Sequence, residues 1–441
     1  MEQVTDYLDD LFAFIHHTPT AYHAVANSID ILSKQGFQRL DEAVSWQNLS
    51  PGSYYVTRNG SSLIAFTLSH RPDAAMPLRM AGAHTDSPSL KIKPNPVQLR
   101  HGCVQLGIEV YGGALLAPWF DRNLSIAGRI SWSCDDKPMR CCLVDFKRPV
   151  ATIPSLAIHL DREANNSRSI NKQTDLVPII MLSNASTPPN FSELLREELI
   201  RQNPEAANAT ILAFDLFLYD TQSLCRVGLN GELITGPRLD NLLSCHALIC
   251  AMAATTVDHN RLIVLNDHEE VGSLTMAGAQ GPFLKSVLER LYPNPDLRQR
   301  VIASSLFVSV DNAHAVHPNF AGKHDPEHLP LLNRGPVIKT NAGQRYATDA
   351  LTAGLFRQFC IKAGVPCQEF VMRNDLACGS TIGPLTAAEI GVRTVDIGVP
   401  QLAMHSIRET IGHLDGWYLL QALATFFSAE DTYICCPNTA C

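Results

Sequence analysis

Residues 261–273 read RLIVLNDHEEVGS. Leu262–Leu265 is an apolar run of buried-strand length, and Gly272 and Ser273 punctuate the segment after it. Between them stand two adjacent carboxylates, Glu269 and Glu270. Neighbouring side chains of extended backbone point to opposite sides, so both can serve one site only where a turn aims them there. One carboxylate can then hold a metal while the other handles a proton, the division of labour of metal-assisted hydrolysis. An isolated Asp-His-Glu-Glu loop is more often a solvated turn, so the reading depends on what else the chain offers.

Four other places show an apolar run ending in a metal-capable residue. PLRMAGAHTDSP (77–88) delivers His84 and Asp86, and SLFVSVDNAH (305–314) delivers Asp311 and His314. RTVDIGVPQLAMHS (393–406) delivers His405, and ELITGPRLDN (232–241) delivers Asp240 beside a Gly-Pro turn. In open α/β sheets, ligands bind outside the carboxyl ends of the strands, where loops from several strands converge. Histidines and carboxylates on such loops match the nitrogen and oxygen ligands of Zn²⁺, and the mixture suits two ions bridged by one carboxylate. A single histidine after a strand is more often a hydrogen-bonded core residue. The conjunction is what points to a metal centre.

From Asn241 onward long helical patterns alternate with buried strands, the signature of a sheet flanked by helices. Apolar residues recur at helical spacing over Tyr7–Leu32, and strands are expected around Tyr54–Val56 and Leu63–Leu68. Beyond Pro88 the character changes. KIKPNPVQLRHGCVQLGIEVYGG (91–113) alternates polar and apolar residues as half-buried antiparallel strands do. RISWSCD, MRCCLVDF and ILAFDLFLYD come next, with one helical stretch near Phe191–Arg201. The expected fold class is therefore α/β, a mixed sheet flanked by helices. Residues 1–91 and 233–441 form this catalytic domain, and 92–232 form an inserted β-rich domain.

At 441 residues the chain exceeds one typical core. A net charge of −8 argues against nucleic acid or an anionic membrane as the main partner. The thirteen cysteines are odd in number and lack repeated C-x-x-C pairs, which reads as free thiols in a reducing, cytoplasmic compartment. Cys435, Cys436 and Cys441 read as an oxidation liability. The acidic N-terminus lacks the features of a signal peptide, and no apolar run reaches the ~20 residues needed to span a bilayer.

The motifs AHTDSP, PRLDN, HEEVGS, VDNAHAVHPN, NDLACGSTIGP and AMHSIRE, in this order, resemble those of the aspartyl aminopeptidase family of dinuclear zinc metallopeptidases. The resemblance covers essentially the whole chain. It implies a zinc-exopeptidase catalytic domain, an inserted dimerisation domain and a homo-oligomer, a dodecamer built from dimers. It implies removal of N-terminal aspartate or glutamate from peptides by two zinc ions per subunit, which Mn²⁺ or Co²⁺ could replace.

Carried over residue by residue, Asp240 bridges both ions, His84 and Asp311 complete one, and Glu270 and His405 complete the other. Asp86 accepts the second ring N–H of His84, and Glu269 is the general base. Lys339 pairs with the substrate carboxylate, with His314 beside it. His159 contacts substrate in a neighbouring subunit's site, a metal role being its alternative. The small residues of NDLACGSTIGP offer backbone N–H groups to substrate, or simply form a turn. A related hydrolase of neutral specificity is the nearer alternative. A non-catalytic assembly protein keeping the metals as staples is the more distant one.

Overall fold

The computed structural model describes residues 2–47, 49–70, 75–134, 137–254 and 259–434; Cys435, Cys436 and Cys441 lie outside them. The chain divides into two compact units. The first contains residues 1–86, 224–404 and 409–441, and the second contains 87–223 together with 405–408. The division falls a few residues before the boundaries drawn from the sequence, for a reason visible in the pairing. Ser89 and Leu90 already pair with Tyr111 and Val110, whereas Cys225–Val227 pairs with Leu233–Thr235 of the first unit.

Among the described residues, nine strands of the first unit form one mixed sheet. Their order is Gln38–Arg39, Gly52–Arg58, Ser62–Leu68, Arg261–Asn266, Arg79–His84, Leu306–Val310, Arg393–Gly398, Val337–Thr340 and Gln368–Val371. The four strands from Arg261–Asn266 through Arg393–Gly398 run parallel. Strand periodicity sends alternate side chains to opposite faces, and here both faces are covered. Leu262 and Val264 join Met80, Phe307 and the helix Phe283–Leu291 in one apolar cluster. Ile263 and Leu265 join Ala81, Ala83 and Val308 in another, with helices Leu239–Ala254 and Asp415–Phe427. Burial on both faces explains why the run at 262–265 is continuously apolar.

The centre of this sheet leaves little room. A Cβ on Gly82 would come within 2.6 Å of the Phe307 side chain. The helical periodicity over Tyr7–Leu32 is carried by two helices, Glu2–His16 and Ala21–Lys34. Pro19, which lacks a backbone N–H, lies in the break, and the Thr18 hydroxyl donates to the Phe14 carbonyl at 2.9 Å. A smaller sheet of Cys225–Val227, Leu233–Gly236, Glu409–Gly412, Pro400–Leu402 and Ala313–His314 also belongs to this unit.

Among the described residues, the second unit is built on six antiparallel strands in the order Arg140–Asp145, Leu124–Ser133, Thr210–Asp220, Ser89–Arg100, Cys103–Tyr111 and Ile179–Leu182. Leu195 and Leu199 of the helix Phe191–Gln202 pack with Leu90, Ile108, Ile130 and Leu216 in its core. No described helix is long and apolar enough to cross a membrane.

Candidate metal centre

Strand register brings the first set of site residues to one level. His84 lies opposite Asn266, and Gly82 opposite Ser309. The carboxyl ends of three adjacent parallel strands therefore deliver His84, the loop Asp267–Glu270 and Asp311 to the same edge. Asp240 comes from the start of the helix Leu239–Ala254, where Asp240 and Asn241 have non-helical backbone and are joined by a cis peptide bond. Buried hydrogen bonds hold this start in place. Asp240 N–H donates to Glu409 Oε2 at 2.9 Å, Asn241 Nδ2 donates to the Val310 carbonyl at 2.8 Å, and Asn312 Nδ2 to the Leu239 carbonyl at 3.1 Å. Glu409 and Asn312 do not stand out in the sequence, although both lie inside the strand-end motifs.

His84 is buried, and its Nε2 lies 3.4 Å from Asp240 Oδ1 and 3.7 Å from Asp311 Oδ1. Ligand-capable atoms of His84, Asp240 and Glu270 all fall within 4.8 Å of one another. On the other side of the ring, Nδ1 is 3.0 Å from the Asp86 backbone carbonyl, an acceptor, so Nδ1 donates and Nε2 faces the carboxylates. The Asp86 carboxylate, expected to take that proton, is farther away at 3.5 Å. It instead accepts the backbone N–H of Glu269 on Oδ1 and that of Glu270 on Oδ2, both at 3.1 Å. A backbone carbonyl orients the histidine as well as a carboxylate would, which leaves the Asp86 side chain to fix the glutamate turn. His268 enters that turn with φ 64°, the left-handed backbone that aims successive residues to one side.

The charges here are poorly balanced. Burial pushes the Glu269 carboxyl up to about 8; His84 opposes this, and Asp311, Asp86 and Asp240 add to it. Glu270 is also raised well above the carboxylate range, first by burial and then by Asp240. Burial alone would lower the His84 pKa, yet Asp240, Asp311 and Asp86 together raise it well above the usual histidine range. Several buried carboxylates around one imidazole attract positive charge strongly. Nitrogen and oxygen donors in this mixture fit divalent zinc, so the residues present suit such an ion.

Beside this cluster lies a cavity of about 400 Å³, lined by His314, His317, Lys323, His324 and by apolar residues that include Phe370 and Leu376. No carboxylate is among the described residues that line it. His314 is held below the usual histidine range, first by loss of hydration and then by the positive charges of Lys339 and His324, while Asp240 and Asp311 pull it upward. Lys339 is itself buried. Its ammonium donates to the backbone carbonyls of Asp311 at 2.8 Å and Asn312 at 3.3 Å. Just before the helix Ile382–Ile390, the Thr381 hydroxyl donates to Asp396 at 2.6 Å, which anchors the end of the NDLACGST stretch to the sheet. His159 and His405 belong to the second unit. His159 is exposed in a turn, and His405 Nδ1 is 3.2 Å from the Gly113 carbonyl.

Residues 14–427 match the family described as aminopeptidase I zinc metalloprotease (M18). The chain belongs to the M18 family. A "Probable M18 family aminopeptidase 2" of Stutzerimonas stutzeri is 52% identical over 421 residues, covering 96% of this chain and 98% of the relative. Among solved structures, a chain of the Ape4 and Nbr1 complex superposes with a TM-score of 0.92 at 37% identity, over 96% of this chain and 86% of that one. The S. cerevisiae mApe1 dodecamer gives 0.84 at 28% identity, over 98% and 99%. This M18 protein is thus a zinc metallo-aminopeptidase, and its mixed α/β architecture is the one its relatives share.

Proposed function

We propose that this M18 aminopeptidase removes N-terminal aspartate or glutamate with two metal ions and Glu269 as general base. The observation that carries the acidic specificity is the cavity beside the carboxylate cluster, whose titratable lining residues are basic throughout: His314, His317, Lys323 and His324. A substrate carboxylate placed there meets positive charge and N–H donors without a competing anion. Asp240 is assigned to both ions, and His84 with Asp311 to one. Glu270 is assigned to the other, and the AMHSIRE motif marks His405 as a further candidate ligand. When bound, the ions lower the pKa of a water and polarise the scissile carbonyl.

The residues of the chain do the rest. Asp86 holds the backbone of the two glutamates so that their carboxylates keep separate duties. Glu269 takes the proton from the attacking water and hands it to the leaving amine. Lys339 holds the Asp311 loop through two carbonyls and adds positive potential beside His314, in place of the direct substrate contact expected of it. His159 is assigned to substrate contact in a neighbouring subunit of a dodecameric assembly like that of mApe1, with the second unit as the dimerisation domain.

Rates on aspartyl, glutamyl and leucyl amides test the specificity. A larger kcat/KM for aspartyl than for leucyl amide is expected. The reverse order would favour a neutral-residue aminopeptidase, for which Phe370 and Leu376 of the same cavity would supply the contacts.

A further inference from the structure

A second group of metal-capable side chains lies away from the centre described above. His246 is fully buried on the helix Leu239–Ala254, and Cys250 comes four residues later on the same face. By helical rise these two residues lie roughly 9 and 15 Å along the axis from Asp240. Asp10 comes from the adjoining helix Glu2–His16. His246 Nε2 is 2.9 Å from Asp10 Oδ2 and 3.4 Å from Cys250 Sγ, and Sγ is 3.9 Å from the same carboxylate oxygen. The imidazole is wedged between the rings of Tyr7 and Phe14, with centroids 5.2 and 5.3 Å away, so Nε2 has a fixed direction.

Zinc takes nitrogen, oxygen and thiolate donors at ~2.0–2.3 Å in tetrahedral arrangement, which separates the donors by ~3.4–3.6 Å. The observed triangle of 2.9, 3.4 and 3.9 Å brackets that spacing, so two edges would shift by up to about half an ångström and the third hardly at all. Ligands at i and i+4 of one helix are a regular way to hold such an ion. We propose that Asp10, His246 and Cys250 form a further divalent-metal site. It is selective for thiolate-tolerant ions such as Zn²⁺ or Co²⁺, and it ties the N-terminal helix to the helix that presents Asp240. Asp10 is largely exposed and Cys250 partly so, which gives an ion access and leaves a tetrahedral position for water.

The test uses the full-length enzyme stripped of metal and reloaded with excess Co²⁺. Thiolate ligation gives a near-ultraviolet sulfur-to-cobalt charge-transfer band, which none of the residues assigned to the catalytic centre can produce. The band is expected in the wild type and absent in Cys250→Ser, with one metal ion fewer per subunit in that variant by elemental analysis. Asp10→Asn is expected to weaken Co²⁺ binding by at least about tenfold while aminopeptidase activity stays unchanged. No band in the wild type, a band that persists in Cys250→Ser, or equal metal contents would each overturn the proposal. So would a Cys250 alkylation rate that excess Zn²⁺ leaves unaltered, since that describes an activated thiol without a metal.

Discussion

Gly398 lies directly against Asp311. A Cβ on Gly398 would sit 1.8 Å from the Asp311 carbonyl oxygen, and the Asp311 N–H donates to the neighbouring Ile397 carbonyl at 2.9 Å. The strand Arg393–Gly398 therefore determines where the Asp311 carboxylate stands. Gly398→Ala is expected to displace the 311–312 backbone, at an overpacking cost of about 1–3 kcal/mol. An ångström of misplacement in a site of this kind lowers kcat by about 10²-fold. A variant with wild-type kcat would show that Asp311 has no demanding position.

Asp86 holds both glutamates through their backbone N–H groups. Asp86→Ala removes two acceptors at once and frees the turn. Metal affinity is expected to weaken by about 10–100-fold, as for other residues that orient ligands. Metal titration with a competing chelator measures this, and an unchanged affinity would refute the clamp.

Glu269 and Glu270 should separate cleanly on substitution. Glu269→Gln is expected to lower kcat by about 10²–10⁴-fold with metal content retained. Glu270→Gln is expected to lower metal content as well. If Glu269→Gln loses the metal and Glu270→Gln does not, the two roles are exchanged.

Lys323 is the permanently charged residue among the basic groups lining the cavity. Lys323→Ala is expected to reduce kcat/KM for aspartyl amide by about 10-fold, the worth of one charge-assisted hydrogen bond. Lys323→Glu should reduce it further, and leucyl amide should change little in either variant. Equal losses on both substrates would remove the cavity from the account of specificity.

His246 has a folded-state pKa of about 9, above its ordinary value of 6.5. Protonation therefore favours the folded state. This contribution is complete below the unfolded value and disappears as pH rises through about 9. Metal-stripped enzyme should lose several degrees of Tm between pH 6.5 and 9.5, and Asp10→Asn should show a shallower decline. A decline of equal steepness in the variant would mean that another group controls it.

Much of this molecule can be read from its residues in order. The buried run at 262–265, the turn at Gly272 and the alternation of helices with strands identify the sheet, because hydrophobic periodicity is a local signal. His84, the glutamate pair and Asp311 are legible for a related reason: each comes after a strand of the parallel set, and parallel strands gather their carboxyl ends at one edge. Pro19 is the local signal that splits the first helical stretch, masked because the apolar spacing continues across it.

Other features have no local signature. Asp86 carries the same carboxylate wherever it points. Only the packing of residues 85–86 against 267–270 turns that carboxylate toward two backbone N–H groups and leaves His84 to a carbonyl. Lys339 reads as a cation available to substrate until the fold buries it against the Asp311 loop, where its protons are taken by carbonyls. His246 and Cys250 share a helix face in the sequence, but Asp10 joins them only because two helices far apart in the chain pack together. The sequence by itself determined which chemistry the chain could support, since donor type and strand-end position are written residue by residue. Tertiary structure alone decided which donor faces which acceptor, because hydrogen-bond partners depend on distances between segments far apart in the chain, and no linear pattern encodes those distances.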